Sequence, residues 1–118
     1  MKLNHMNLVT HDIEASQAFY ERYFGFKKLF EEAGEVFLQD KDGFLLALGP
    51  IDEPIESPKW FHFGHCVDSL EEVKNIYSQM KLNGEKFAKK LGNTDRPFVP
   101  FYVFDPAGHR VEVSCFNI

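Results

Sequence analysis

Residues 105–113 read DPAGHRVEV, and residues 40–48 read DKDGFLLAL. Aspartate falls on aspartate (Asp40, Asp105) and glycine on glycine (Gly43, Gly108), and each pair leads into an apolar run. An Asp with a Gly three residues on marks a tight turn, since Asp bonds to backbone just ahead of it and Gly accepts positive φ. Both stretches therefore read as a turn that feeds a strand. In this alignment Ala47 stands where the second stretch has Glu112.

The same order of elements precedes both turns. Residues 3–10 read as a strand, Asp12 offers an N-cap, and IEASQAFYERYFG follows at helical spacing with Gly25 as its stop. FKKLFEEA, EVFLQD and FLLALG then read as three strands joined by tight turns. In the second half residues 60–67 read as a strand, and Asp68 or Ser69 caps a helix with Leu70, Val73, Ile76, Tyr77 and Met80 on one face. EKFAKKL, PFVPFYVF and HRVEVSCF supply three more strands. Between the halves, PIDEPIESPK (50–59) holds three prolines and three acids and breaks regular structure. The expected fold is α+β: two βαβββ modules in tandem, forming a curved mixed sheet around a cleft. One domain over 1–118 is expected, with modules at about 1–50 and 60–118 and a linker at 51–59. A repeat of this kind decides the fold before any finer reading.

Bulk properties narrow the function. A chain of 118 residues is long enough to bury a core without disulfides or structural metal. The 13 Phe point to a thick core, an aromatic-lined pocket, or both. Net charge is −5, and Lys and Arg are scattered rather than gathered into the basic face of a nucleic-acid binder. Cys66 and Cys115 lie in apolar, strand-like runs with no CxxC or zinc spacing, and are expected to be buried free thiols. The opening MKLNHMNLV lacks the apolar core of a signal peptide, and no run approaches the ~20 apolar residues of a membrane span. The expectation is a cytoplasmic protein with no nucleic-acid or membrane partner.

A βαβββ unit used twice, with His in the first strand of each unit and Glu in the last strand of the second, resembles the vicinal oxygen chelate superfamily (glyoxalase, bleomycin resistance protein, dioxygenase). The residues that carry the likeness are LNHMNLVTHDIEASQAFYERYFGF (3–26), HFGHCVDSLEEV (62–73) and FYVFDPAGHRVEV (101–113). The resemblance implies a metal held by His5, His62 and Glu112, in a cleft between the halves, and a homodimer. The fourth ligand position of many glyoxalase-like members falls on Ala47, which cannot bind metal. What remains is two imidazoles and one carboxylate, a set suited to Fe, Mn, Zn, Ni or Co in the divalent state. Three protein ligands leave positions open for substrate oxygens.

Strand alternation adds to the set. If His5 faces the cleft, Asn7 does too; His62 brings Gly64, and Glu112 brings Arg110. The family likeness puts Tyr102 in the cleft as a catalytic group beside Glu112. Asn7, Gly64, Tyr102 and Arg110 form the expected substrate contacts, Gly64 by leaving room and Arg110 by holding an anion. His65 falls on the face opposite His62, and His11 and His109 border turns, where exposed roles are common.

These residues suit a divalent-metal-dependent enzyme acting on a small oxygen-rich substrate, by isomerase or lyase, epoxide-opening or dioxygenase chemistry. The alternative is a metal-free drug- or small-molecule-binding protein of the bleomycin-resistance type, favoured by the Phe content, Trp60 and the acidic balance. A third reading keeps the fold and makes the triad vestigial, because fold alone does not fix function.

Overall fold

The computed structural model describes all 118 residues, Met1–Ile118. In the first half the elements run β1 (His5–Thr10), α1 (Ile13–Phe24), β2 (Lys27–Glu32), β3 (Glu35–Gln39) and β4 (Leu45–Pro50). The second half repeats them as β5 (Phe63–Cys66), α2 (Leu70–Leu82), β6 (Phe87–Lys89), β7 (Phe98–Phe104) and β8 (Arg110–Phe116). Two compact units divide the chain, Met1–Ile55 and Glu56–Ile118. No helix is long and apolar enough to cross a membrane.

Each unit builds a four-stranded mixed sheet on one plan, ordered β1-β4-β3-β2 and β5-β8-β7-β6. The first and last strands of each unit pair in parallel (β1 with β4, β5 with β8), and the other neighbours are antiparallel. A parallel pair needs a long crossover, and α1 and α2 lie in those crossovers. Local chemistry sets both helix starts. Asp12 accepts from the Ala15 amide and Ser69 from the Glu72 amide, each satisfying a donor that the first turn leaves free. Gly25, at φ 69°, ends α1 in the left-handed conformation.

One face of each sheet is buried under its helix. In the first unit β3 and β4, with buried Leu38, Leu46 and Leu48, pack against α1, whose Phe19, Tyr20 and Tyr23 are buried; Leu8 of β1 is buried too, and buried Thr10 bonds Ser16 across 2.8 Å. In the second, Val99, Phe101 and Val103 of β7 and Val111, Val113 and Cys115 of β8 lie under Val73 and Met80 of α2. Alternation then sends the intervening residues of every strand to the opposite face.

The two Asp–Gly turns close with the same set of bonds. Asp40 Oδ1 accepts from the amides of Asp42 and Phe44, both at 2.9 Å. Asp105 Oδ1 accepts from those of Ala107 at 3.0 Å and His109 at 2.9 Å. Gly43 and Gly108 both take positive φ, 87° and 99°. The second turn differs in being buried: Asp105, Ala107 and His109 are all shielded, whereas Asp40 is half-buried. His109 is thus not the exposed turn residue its position suggests. The first strand of the second unit is also shorter than residues 60–67, so Trp60 and His62 precede β5.

Burial predicts unequal roles for the two aspartates. Asp105→Ala should lower unfolding free energy by about 2–4 kcal/mol, because two buried amides lose an ionised acceptor. Asp40→Ala should cost about half as much, because water reaches the freed amides. Urea unfolding of both variants checks the order.

Candidate functional site

In the second unit the strand register lines up a row of chemistry. Gly64 on β5 pairs with Glu112 on β8, Glu112 with Tyr102 on β7, and Tyr102 with Lys89 on β6. All four therefore share the face turned away from α2. His62, two residues before Gly64, joins them from the segment leading into β5. Its Nε2 lies 3.5 Å from Glu112 Oε2, and its ring stacks on Tyr102 at 4.8 Å between centroids. Glu112 is the more sheltered of the pair, with 14% of its side chain exposed against 39% for His62.

Gly64 earns its place through close packing. A Cβ built there would lie 2.7 Å from Glu112 Cβ and 2.9 Å from its carbonyl oxygen. The position a side chain would occupy at Gly64 is taken by the stem of Glu112. Any larger residue would push Glu112 or open the β5–β8 pair.

Tyr102 is held protonated. Burial raises its pKa above the ordinary value, and the Glu112 carboxylate adds to this through its charge and as a hydrogen-bond acceptor. At neutral pH the phenol is a donor, not a base. Arg110 reaches back along the chain: its Nη1 donates to the carbonyls of Ser57 at 2.8 Å and Pro58 at 3.0 Å, and its guanidinium sits 5.1 Å above the Phe104 ring. These bonds occupy one nitrogen and leave the charge unneutralised.

The remaining expected residues belong to the first unit. His5 opens β1, and Asn7 pairs with Ala47 on β4. The His5 Nδ1 lies 2.8 Å from Asn4 Oδ1. An amide oxygen only accepts, so Nδ1 is the donor in this bond and Nε2 is the ring nitrogen it leaves uninvolved. The row through Ala47 continues to Phe37 and Phe30, whose rings stack at 4.4 Å. Where the second unit carries Glu112, Tyr102 and Lys89, the first carries Ala47, Phe37 and Phe30.

Neither unit by itself gathers three His, Cys, Asp or Glu side chains around one point. The second unit alone supplies a pair whose geometry fits an ion. Two tetrahedral ligands about 2.1 Å from a metal stand about 3.4 Å apart, close to the observed His62–Glu112 separation of 3.5 Å.

An open cleft of about 500 Å³ lies beside this pair, lined by Lys59, His62, Lys89, Tyr102, Phe104 and Arg110, with Phe87 and Ala88 at its side. The sequence reading missed Lys59 and Lys89. Lys89 enters through its register with Tyr102, which no local pattern reveals, and Lys59 enters from the Pro-rich segment. The cysteines also differ from expectation: both are free and Cys115 is buried, but Cys66 is exposed. It lies at the end of an edge strand, one alternation beyond Gly64 on the uncovered face.

The fold is that of a known class. The chain belongs to the glyoxalase/bleomycin resistance protein/dioxygenase superfamily, whose sequence profile matches residues 2–113. It is 31% identical over 116 residues to a protein of Bacillus subtilis (strain 168) described as a probable trivalent organoarsenical cleaving enzyme, covering 95% of this chain and 78% of the relative. Among solved structures it is similar to a possible glyoxalase from Bacillus cereus, at 32% identity, a TM-score of 0.81, and coverage of 98% of this chain and 99% of that one. The fosfomycin resistance protein FosX from Listeria monocytogenes shares the fold, with a TM-score of 0.84 at 19% identity over 100% of this chain and 95% of that one.

The proton on Tyr102 gives a testable signature. The phenolate absorbance, read against Tyr102→Phe, should titrate above about 10, the free tyrosine value. In Glu112→Gln the midpoint should move down but stay raised, since burial is the larger cause. The bound proton stabilises the fold fully below about pH 10, and this contribution is lost as pH rises through the folded value.

Proposed function

We propose that the chain is a divalent-metal-dependent enzyme of the glyoxalase/dioxygenase group that acts on a small oxygen-rich substrate. The observation that carries this reading is the His62–Glu112 pair, 3.5 Å apart and backed by Tyr102. A half-buried carboxylate and an imidazole at this separation are both satisfied as two ligands of one cation. His5, whose Nδ1 is taken up by Asn4, would supply the third ligand through Nε2. Iron, manganese, zinc, nickel and cobalt all suit this donor set.

When bound, the metal supplies Lewis acidity and open positions for substrate oxygens. Around it the protein has distinct tasks. Glu112 would supply one ligand oxygen and accepts the hydrogen bond of the Tyr102 hydroxyl, which orients the carboxylate. His62 is kept in orientation by stacking on Tyr102. Asn7 offers an amide from the first unit, and Arg110 a cation from the second. The name of the Bacillus subtilis relative favours bond cleavage within the range of isomerase or lyase, epoxide-opening and dioxygenase chemistry. The protein acts in the cytoplasm as a homodimer, with neither nucleic acid nor membrane as partner.

Metal titration tests the reading. Protein freed of metal by chelator should take up about one equivalent of Mn(II) or Co(II) per chain. Because even outer-shell changes cost about 10–100-fold in affinity, His62→Ala, Glu112→Gln and His5→Ala should each cost about 100-fold or more. Tyr102→Phe, which removes the hydroxyl bonded to Glu112, should cost about 10-fold, less than the loss of a ligand. Absence of uptake by the unaltered protein would favour the metal-free binding protein instead.

A further inference from the structure

The outer strand of the first sheet, β2, reads KKLFEE over residues 27–32. In the order β1-β4-β3-β2 it has β3 on one side and no strand on the other. All of its residues are exposed, Leu29 at 52% and Phe30 at 44% among them. A bare edge offers unpaired N–H and C=O groups to any extended chain, and charged side chains usually blunt it. Here the order of the charges spares one partner. Run antiparallel against itself, the stretch sets lysine opposite glutamate at both ends.

Register decides whether such a pairing can form. Opposed residues of an antiparallel pair share a face. In a regular strand Lys28 and Glu31, three apart, would point to opposite faces. They do not, because β2 carries a bulge between Lys28 and Phe30. Lys28 pairs with Leu38 and Glu31 with Val36, both buried residues of β3, so the two charges lie on the α1 side of the sheet. An ion pair between Lys28 and Glu31 agrees with this. Lys27, Phe30 and Glu32 pair with Gln39, Phe37 and Glu35 and share the other face. With Leu29 set aside as the extra residue, the edge is a charge palindrome centred on Phe30, and its matching positions lie on matching faces.

We infer that two copies of the chain join β2 to β2, antiparallel, about a two-fold axis at Phe30. Lys27 then faces the partner's Glu32, Lys28 faces the partner's Glu31, and Phe30 meets the partner's Phe30. On the α1 side Lys28, Glu31 and their counterparts form a square with opposite signs at neighbouring corners. On the other side the stack of Phe30 on Phe37, 4.4 Å between centroids, continues into the partner's rings. Parallel pairing would set lysine on lysine and glutamate on glutamate, so the charges also select the direction. This pairing gives the proposed homodimer its surface and rests on that part of the reading alone. It needs no metal. A pair of six-residue strands is much smaller than a standard interface of about 1,600 Å², so association is reversible and concentration-dependent.

Sedimentation velocity of the full chain, from about 10 µM to about 1 mM, tests the inference. The fraction of dimer should rise with concentration. Lys27→Glu with Lys28→Glu makes every charge on the edge acidic, and Glu31→Lys with Glu32→Lys makes every one basic. All four positions are exposed, so folding is spared. Each double variant should self-associate at least about tenfold more weakly, because every charge pair across the axis becomes repulsive. Mixed in equal amounts, the two variants should associate at least as tightly as the unaltered chain, a rescue that no folding defect produces. Added salt should weaken both the unaltered dimer and the mixed pair. The inference is overturned if the unaltered chain stays monomeric, if either variant dimerises as the unaltered chain does, or if mixing restores nothing. A dimer indifferent to these charges would sink the β2 surface and leave the homodimer. A monomer that takes up Mn(II) would sink the pairing and leave the metal-dependent enzyme.

Discussion

The register between β5 and β8 governs the second unit. Gly64 opposite Glu112 puts the carboxylate beside His62 and in line with Tyr102. Because side chains alternate, a slip of one residue would turn Glu112 under α2 and bring Val111 or Val113 to the open face. Several features hold the register. Buried Val111, Val113 and Cys115 fix which face of β8 points inward. The Asp105 turn fixes where β8 starts. The missing side chain at Gly64 lets the two strands lie close with Glu112 upright between them. A packing requirement and a chemical one thus meet at the Gly64–Glu112 pair.

Duplication explains why the site is lopsided. The two units share strand order, helix placement and turn bonding, so corresponding positions can be matched one by one. At those positions the first unit carries Ala47, Phe37 and Phe30, and the second Glu112, Tyr102 and Lys89. The first unit keeps the polar residues of its leading strand, His5 and Asn7, but the rest of its row is apolar. Chemistry is concentrated in one copy and the other retains the scaffold. Membership of the glyoxalase/bleomycin resistance protein/dioxygenase superfamily fits this division, since a duplicated frame tolerates change in one half while the other keeps its role.

Much of this was legible in the sequence where the cause is local. Asp12 and Ser69 cap their helices through their own side chains, and Asp40 and Asp105 fold their own turns. Such signals need no knowledge of distant residues, and element order followed from them. Alternation along β8 also set Arg110 and Glu112 on one face. What escaped depended on pairing across strands or on covering. Lys89 joins the cleft only through its register with Tyr102. Lys59 comes from a segment without pattern. The close approach of Glu112 to Gly64 likewise follows from strand pairing and not from the local pattern. Cys66 resembled a core residue by composition, yet it stands on an edge strand and the uncovered face. His109 looked exposed because it borders a turn, but that turn is buried.

The account stands on His62 and Glu112 acting as two ligands of one cation with His5 as the third. Crystals of the protein soaked in Mn(II), with the ion located by its anomalous scattering, test this most directly. The account predicts one ion per site, bound to His62 Nε2, a Glu112 carboxylate oxygen and His5 Nε2, each within about 2.0–2.3 Å. An ion bound elsewhere, or one at the His62–Glu112 pair that His5 does not reach, would contradict it.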